Sequence, residues 1–333
     1  MTAVAATLRR IRQAVSETVA HLMRVLFIWA SHRRRLARFA LHSSLTRTTV
    51  RRFIAGESLD EALETLARIH SAGMATTVDV LGEAVTTTDE AARAAERYVE
   101  LLDALAERGL DRNVSVKLTA IGLDVDVEAC RANLLRIVAH AADLNAFVRV
   151  DMEDHHHTQQ TLDLVREAHA VHPNVGTVLQ AYLRRTADDA ALMNAERIRV
   201  RLCKGAYDEP AEVAFPHKAQ VDEAFRRVAE TLLRNGLYPA LATHDELLIS
   251  WARGFAERES IDRTRFEFQM LYGIRRDLQE ELVKAGYTVR VYVPFGTEWY
   301  PYYMRRLAER PANVVSMARS VLREGRRPRR RAR

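Results

Sequence analysis

Five charged or amide side chains lie within or just after short apolar runs of the chain. They are Lys117, Asp151, Gln180, Arg201 and Lys204, and the runs that carry them are rich in valine and leucine. Burying such groups is costly unless they have partners or a bound ligand. Ionisable side chains that cluster at one end of a fold therefore favour an active site over a structural ion-pair layer.

Three more runs of this kind end in or contain polar residues: Thr243 and His244 follow one, Gln269 lies in another, and Tyr292 lies in the last. Several of the runs lack strict alternation, which is typical of strands buried on both faces. We predict eight strands, at 75–81, 114–120, 147–153, 175–181, 198–203, 239–243, 266–271 and 289–294.

Helical stretches separate these strands. Ser58 and Glu61 form a capping-box pattern, Thr87 or Thr88 opens a second helix, and Thr158 opens a third. Eight strand–helix units over about 250 residues predict a (β/α)8 TIM-type barrel, whose active site lies at the carboxyl ends of the strands. An open doubly wound sheet is the alternative, but no glycine-rich turn follows the first strand. The predicted helices include 59–71, 90–107, 162–172, 216–235 and 277–285.

The composition is that of an ordinary globular protein: 48% of the 333 residues are hydrophobic and 28% are charged. These values exclude a wholly disordered chain and a multi-span membrane protein. Cys130 and Cys203 are the only cysteines, which excludes a disulfide framework and predicts a cytoplasmic location.

The basic residues are concentrated in two flanks. The net charge is +6 overall, +10 in residues 1–52, +6 in residues 323–333 and −10 in the body between them. We therefore predict a basic helical segment at 1–52, a barrel at 53–322 and a disordered arginine-rich tail at 323–333. A nucleic-acid-binding protein would carry basic residues on its folded body, so the acidic body argues against that function.

The N-terminal flank predicts a basic amphipathic helix or helix pair over 8–41, with Leu22, Val25, Leu26 and Trp29 at helical spacing. The apolar stretch 22–30 contains Arg24 and is far shorter than the ~20 residues that a spanning helix needs. Packing on the barrel is the simpler interpretation. Peripheral contact with the anionic inner face of the cell membrane is the alternative.

A metal site is not predicted. Asp151, Glu153, Asp154 and the run His155-His156-His157 include ligand types. Three adjacent histidines cannot all face one ion on a helix or strand, and no histidine pair has the i, i+4 spacing of helical ligands.

Taken together, the strand-end motifs resemble the proline dehydrogenase family in its short, monofunctional bacterial form. Each motif is weak alone, but the ordered set is specific, and the resemblance covers residues from about 53 to 313. The motifs are Ser115-Val116-Lys117-Leu118, Asp151-Met152-Glu153, Gln180-Ala181-Tyr182-Leu183, Arg201-Leu202-Cys203-Lys204-Gly205-Ala206-Tyr207, Ala242-Thr243-His244-Asp245, Phe268-Gln269-Met270-Leu271-Tyr272-Gly273, Tyr292-Val293-Pro294-Phe295-Gly296 and Arg305-Arg306-Leu307-Ala308-Glu309.

The resemblance implies an FAD-dependent enzyme that oxidises L-proline to Δ1-pyrroline-5-carboxylate and passes the electrons to a quinone. A separate pyrroline-5-carboxylate dehydrogenase would then receive the product, since the resemblance includes no aldehyde dehydrogenase portion. Hydroxyproline oxidation by the same family is the alternative, but the bulk of Tyr292 should crowd a ring hydroxyl.

The resemblance also assigns roles to residues that bind the substrate. The adjacent Arg305 and Arg306 would clamp the substrate carboxylate, for which the planar guanidinium is suited, and Glu309 would orient one of them. Lys117 would lie against the substrate with Asp151 beside it, or the two form a buried ion pair. Further residues in this set are Tyr292, an aromatic wall, and Glu83, an acidic gate that pairs with an arginine.

The remaining predicted residues would contact the flavin. Arg201 would face the N5/O4 edge of the ring, Lys204 the pyrophosphate, and Gly205 would let the backbone approach the cofactor. Two positions depart from the family pattern: Cys203 replaces a common valine, and Asp208 replaces a tryptophan of the bifunctional branch. The other predicted contacts are Met152, Gln180, Ala206, Tyr207, Thr243 and His244.

Overall fold

A computed structural model describes residues 50–82 and 85–309 of the chain. Residues 54–297 form one compact unit, and the described residues 50–53 and 298–309 belong to a second. Nearly all of the basic N-terminal segment, the arginine-rich tail and Glu83 lie outside the described residues. The predictions made for them therefore stay predictions.

The first unit is a closed barrel of eight parallel strands in sequential order. The last strand pairs in parallel with the first, with Thr77 opposite Tyr292 and Asp79 opposite Pro294. The predicted (β/α)8 fold is confirmed. The strands are β1 Ala75–Val80, β2 Asn113–Val116, β3 Phe147–Val150, β4 Val175–Gln180, β5 Arg199–Cys203, β6 Ala240–Ala242, β7 Glu267–Leu271 and β8 Thr288–Phe295.

Helices surround the strands, and their apolar faces pack against the outer face of the barrel. The predicted capping residues are present: Ser58 accepts a hydrogen bond from Glu61 N at 3.3 Å and Thr87 accepts one from Glu90 N at 3.2 Å. The barrel helices are α1 Leu59–Ser71, α2 Thr88–Glu107, α3 Val127–Asp143, α4 Thr158–Val171, α5 Thr186–Ala195, α6 Lys218–Asn235, α7 Glu246–Arg258 and α8 Arg276–Lys284.

Two strands, β2 and β3, end at least three residues earlier than predicted. The chain turns into a short 3-10 helix at Thr119–Ile121, which overlaps the end of the predicted second strand. Glu153 stabilises this turn, because its carboxylate accepts hydrogen bonds from Thr119 N at 3.1 Å and Thr119 Oγ1 at 2.6 Å. Lys117 and Asp151 therefore follow their strands instead of lying within them. The helix α4 begins at Thr158, the residue that was predicted to precede it as its cap.

The lower part of the barrel interior is charged instead of aliphatic. Arg290 Nε donates to both oxygens of Glu267, at 2.9 and 3.1 Å, and Arg290 Nη1 contacts Asp111 and donates to Thr76 O at 2.7 Å. Burial alone would raise the pKa of Glu267, but the Arg290 guanidinium outweighs it and lowers that pKa. Arg149, also buried, donates to the carbonyl oxygens of Thr177 and Arg199.

Replacing Glu267 with glutamine should destabilise the barrel by about 3 kcal/mol, because a buried guanidinium loses a charged partner. Urea unfolding measures this loss. Glu167→Gln is the matched control, since Glu167 pairs with Arg131 at 2.7 Å on the outer surface, where ion pairs contribute about 1 kcal/mol or less. Equal losses in the two variants would contradict a structural role for the interior pair.

The second unit contains one described helix, α9 Trp299–Glu309. Trp299 and Tyr303 are buried and pack edge to face, with ring centroids 6.0 Å apart, and Phe53 lies 6.2 Å from the Tyr303 ring. Within the described part of the chain, no helix has the length and apolarity required to cross a membrane.

Candidate active site

Asp151 lies at the centre of a polar network at the carboxyl ends of the strands. Its Oδ1 accepts a hydrogen bond from Arg201 Nη1 at 2.7 Å, and its Oδ2 accepts one from the Tyr292 hydroxyl at 2.7 Å. Burial, reinforced by the charges of Asp151 and Asp79, raises the pKa of the Tyr292 phenol well above its ordinary value. Tyr292 is therefore a neutral donor that fixes the Asp151 carboxylate.

Arg201 is held on several sides. Its Nη1 binds Asp151, and its Nη2 donates to Ser115 Oγ at 3.0 Å. Its guanidinium carbon lies 5.3 Å from the centre of the Tyr292 ring. Ser115 is in turn 3.0 Å from Thr77 Oγ1. The Arg201 Nε atom is buried without a hydrogen-bond partner among the described residues. A buried donor in this state needs a partner, and a bound ligand can supply one.

Lys117 joins this network from the neighbouring strand. Its Nζ lies 3.8 Å from Asp151 Oδ2 and 3.4 Å from the Tyr292 hydroxyl. Its closer contact is with Asp79, whose two carboxylate oxygens are 2.9 and 3.0 Å away. The predicted meeting of Lys117 and Asp151 is therefore present, within a larger arrangement of two cations and two carboxylates.

Lys204 lies in a second group of charged residues, in which lysines pair with aspartates. Its Nζ is 2.8 Å from Asp245 Oδ2 and 2.6 Å from Asp222 Oδ1, and Lys218 is 3.4 Å from Asp245. Burial alone would raise the pKa of Asp245, but the Lys204 ammonium outweighs it and lowers that pKa to about 2. The two carboxylates fix the position of Lys204 after β5.

The negative charge of Asp245 should stabilise the fold at neutral pH but not at acidic pH. Folding lowers the pKa of Asp245 from 3.8 to about 2. The carboxylate therefore contributes its full stabilisation above the pKa of the unfolded state, and this stabilisation is lost as the pH falls toward the pKa of the folded state. We expect Asp245→Asn to cost about 1 kcal/mol at neutral pH, because the group is partly exposed. The urea-unfolding difference from wild type should shrink below about pH 4. A constant difference, or the same pattern in the exposed control Asp163→Asn, would contradict this origin.

Besides Lys204, the loop after β5 carries three more predicted cofactor contacts, Gly205, Ala206 and Tyr207. Gly205 has φ +119, and a Cβ there would lie 2.2 Å from Tyr182 Cδ1. Glycine at this position is thus required by the Tyr182 ring and by the backbone conformation. Ala206 and Tyr207 are exposed. Glu209 anchors the loop, because it accepts hydrogen bonds from His155 N at 2.9 Å and the Tyr182 hydroxyl at 3.3 Å.

The other predicted cofactor contacts also lie at strand ends. Gln180 is buried at the end of β4, and its Nε2 donates to Glu153 O at 2.8 Å. Met152, two residues after β3, and Thr243, directly after β6, are buried. His244 Nε2 accepts a hydrogen bond from Leu271 N at 2.9 Å, which places the ring proton on Nδ1.

Four predicted residues are not in the described barrel. Glu83 lies outside the described residues, and the side chains of Arg305 and Glu309 are likewise not described. Arg306 belongs to the second unit, where its guanidinium lies 5.1 Å from the centre of the Tyr302 ring. The carboxylate clamp therefore stays a prediction.

The histidine run has separate partners. His155 contacts Glu209, whereas His157 Nε2 is 2.8 Å from Asp124 and its Nδ1 is 2.8 Å from Asp154. Burial alone would lower the pKa of His157, but these two carboxylates outweigh it and raise that pKa. Within 50–82 and 85–309, no three His, Cys, Asp or Glu side chains converge on a metal position.

Three residues of the central network were not predicted as site residues from the sequence: Asp79, Ser115 and Thr77. Asp79 had a usable signal, because it is the one charged residue in the otherwise uncharged strand Ala75–Val80. Ser115 and Thr77 gave none, since small hydroxyl residues are common in buried strands.

The chain is similar to known proteins over most of its length. The family model described as proline dehydrogenase matches residues 62–319. Proline dehydrogenase 1 of Bacillus subtilis (strain 168) is 41% identical over 303 residues, which cover 91% of this chain and 100% of that protein. The proline dehydrogenase of Deinococcus radiodurans is 41% identical over 278 residues, covering 81% of this chain and 89% of that protein.

A solved structure has the same fold. The crystal structure of proline utilization A (PutA) from Bdellovibrio bacteriovorus, inactivated by N-propargylglycine, aligns with a TM-score of 0.75 and 30% identity. The alignment covers 80% of this chain and 33% of that chain, so this protein spans about a third of the length of that PutA. The resemblance seen in the sequence is confirmed: this chain belongs to the proline dehydrogenase family.

Proposed function

We propose that this protein oxidises L-proline to Δ1-pyrroline-5-carboxylate with bound FAD. The observation that carries the proposal is the position of Arg201. Its guanidinium is fixed by Asp151 and Ser115 at the barrel mouth, and its buried Nε has no hydrogen-bond partner among the described residues. Family membership, through relatives named proline dehydrogenase, supports the substrate.

The residues present fit a flavin. Arg201 Nε is a donor in need of an acceptor, and Gln269 Oε1 is a buried acceptor without a donor among the described residues. A flavin ring offers partners for both kinds of atom, because its carbonyl oxygens and unprotonated nitrogens accept hydrogen bonds and its ring N–H donates one. We assign the ring to Arg201 and Gln180 and the phosphates to Lys204. When bound, FAD accepts the hydride that proline releases. The remaining assigned contacts are Met152, Gly205, Ala206, Tyr207, Thr243 and His244.

The protein's own residues then bind and orient proline. Arg305 and Arg306 would hold the carboxylate, with Glu309 orienting one of them, and Glu83 would close the site over the ring. Asp151 and Lys117 would face the amine, which must lose a proton before oxidation. The predominantly buried Tyr292 would limit the space around the ring and exclude water.

Hydroxyproline is the weaker candidate. The relatives reported above are named for proline, and a ring hydroxyl would have to fit beside the Tyr292 ring, which already lies against the Arg201 guanidinium.

Electron transfer beyond the flavin is part of the proposal. A quinone would reoxidise the cofactor, and a separate pyrroline-5-carboxylate dehydrogenase would consume the product. The +10 charge of residues 1–52 supports peripheral, salt-reversible contact with an anionic membrane that contains the quinone, since each basic residue near such a surface contributes about 1 kcal/mol. Co-sedimentation with anionic vesicles, with and without residues 1–40, tests this contact.

The proposed reaction is tested by steady-state assays. Purified protein should reduce a quinone analogue in the presence of L-proline and form one equivalent of Δ1-pyrroline-5-carboxylate, detected by mass spectrometry. L-hydroxyproline should give a kcat/KM at least about tenfold lower. Equal activity with both substrates would contradict proline selectivity, and no activity with either would contradict the proposed function.

A further inference from the structure

We propose that Ser115 is a positioning residue, whose hydroxyl fixes the Arg201 guanidinium so that its buried Nε donor keeps one direction toward the bound flavin. The inference deepens the proposed function and rests on it, because the ligand concerned is the flavin ring assigned to Arg201. Ser115 acts through Arg201 and is not itself assigned a contact with flavin or proline.

The contact between Ser115 and Arg201 crosses the interior of the barrel. Ser115 lies on β2 and Arg201 lies on β5, and these strands are separated by β3 and β4 in the closed sheet. Arg201 Nη2 nevertheless lies 3.0 Å from Ser115 Oγ. Ser115 is completely buried, so a longer side chain at this position would enter the space that the guanidinium occupies.

The hydrogen bonds around Ser115 have a fixed direction. An arginine side chain can only donate, so Ser115 Oγ must accept from Arg201 Nη2. The Ser115 hydroxyl proton is therefore available to Thr77 Oγ1, which lies 3.0 Å away on β1. Thr77 is completely buried as well. The two hydroxyls thus form a chain in which Thr77 orients Ser115 and Ser115 orients Arg201.

Two hydrogen bonds hold the guanidinium, and each uses a different nitrogen. Asp151 Oδ1 accepts from Nη1 at 2.7 Å, and Ser115 Oγ accepts from Nη2. With the Asp151 bond alone, the guanidinium could still turn about that bond, and the second bond removes this freedom. The buried Nε of Arg201 has no hydrogen-bond partner among the described residues, so the two bonds together set the direction in which it can bind an acceptor.

The first test is the reduction of bound flavin by L-proline in Ser115→Ala, followed by stopped-flow absorbance. We expect the limiting rate at saturating proline to fall about tenfold, because a small displacement of a group at the reacting centre costs about one to two orders of magnitude. The proline concentration at half the limiting rate should change less than about threefold, since the carboxylate is assigned to Arg305 and Arg306. A limiting rate within about threefold of wild type would overturn the proposal.

The midpoint potential of the bound flavin gives a second measurement, which needs no substrate. A guanidinium held against the ring favours the reduced form, because reduction adds negative charge to the ring. Ser115→Ala should therefore shift the equilibrium toward oxidised flavin by about tenfold, equivalent to a potential about 30 mV lower for a two-electron couple. Equilibration with a reference dye provides the potential. An unchanged or higher potential would overturn the proposal.

A double-variant cycle shows whether Ser115 acts through Arg201. Arg201→Met removes the guanidinium, so Ser115 has no group left to position. Adding Ser115→Ala to Arg201→Met should change the limiting rate by less than about twofold, compared with about tenfold in the wild-type background. A further loss of about tenfold would show that Ser115 acts independently of Arg201 and would overturn the assignment.

A second substitution separates the hydrogen bond from packing. Ser115→Cys keeps nearly the same side-chain volume but replaces the hydroxyl with a weak acceptor. It should slow flavin reduction by at least about threefold, and it provides the measurement if Ser115→Ala does not fold. A wild-type rate in Ser115→Cys would overturn the proposal.

The matched control is Thr177→Val, which removes a buried hydroxyl from β4 that donates to Val178 O at 3.5 Å instead of contacting Arg201. It should change the limiting rate less than about threefold, about 0.7 kcal/mol, and a loss equal to that of Ser115→Ala would overturn the assignment. If wild type oxidises proline but Ser115→Ala changes neither rate nor potential, only this inference fails. If wild type does not oxidise proline, the proposed function fails and this inference fails with it.

Discussion

Replacing Arg201 with lysine should slow proline-dependent flavin reduction by about two to three orders of magnitude, the usual loss when a preorganised donor is removed from a reacting site. The guanidinium contacts Asp151 and Ser115 through two different nitrogens while it lies against the Tyr292 ring. A lysine ammonium cannot make these contacts together. Stopped-flow measurement of flavin reduction at saturating proline provides the rate.

Arg199→Lys is the matched control for this variant. Arg199 lies on the same strand, two residues earlier, and its guanidinium packs over the Phe147 and Tyr238 rings, 5.0 and 5.5 Å from their centres. We expect less than a threefold change in rate, about 0.7 kcal/mol. A small effect of Arg201→Lys, or an equal effect of the two variants, would contradict the role assigned to Arg201.

Replacing Arg305 or Arg306 with lysine should raise the KM for L-proline by about one to two orders of magnitude while kcat changes less than about threefold. A guanidinium can bind a carboxylate through two parallel hydrogen bonds, whereas an ammonium binds it as a point charge. The Arg306 guanidinium lies over the ring of Tyr302, one turn earlier on α9. Lysine has no planar group and would not reproduce this contact.

Arg226→Lys, on the outer helix α6 and paired with Glu223 at 3.1 Å, is the control and should leave the KM unchanged. Unchanged KM values in both Arg305→Lys and Arg306→Lys would contradict the carboxylate clamp. Tetrahydrofuran-2-carboxylate has the carboxylate of proline and an oxygen in place of the ring nitrogen. An equal rise in its dissociation constant would place the loss at the carboxylate, which both ligands share.

The barrel could be predicted because its signals are local. Each buried strand is a short apolar run, and Ser58 and Thr87 mark helix starts within three residues of the groups that they cap. Strand ends were less predictable. The turn at Thr119 depends on Glu153, which is distant along the chain, so no local pattern near residue 119 reveals where β2 stops.

The pairing of charges inside the barrel depends on register and could not be derived from the sequence. Lys117 and Asp151 directly follow two adjacent strands, and their proximity follows from the fold alone. That Lys117 pairs more closely with Asp79, and that Arg290 pairs with Glu267, depends on which residues face inward at each level of the barrel. The sequence also contained no indication that Ser115 would bind Arg201.

Anaerobic titration of the purified protein with L-proline tests the proposed function most directly. The protein should show the absorption bands of oxidised flavin, and stoichiometric L-proline should bleach them, while Arg201→Lys should retain the bands and bleach far more slowly. Protein that holds no flavin after reconstitution with FAD, or flavin bands that L-proline leaves unchanged, would contradict a flavin-dependent proline dehydrogenase.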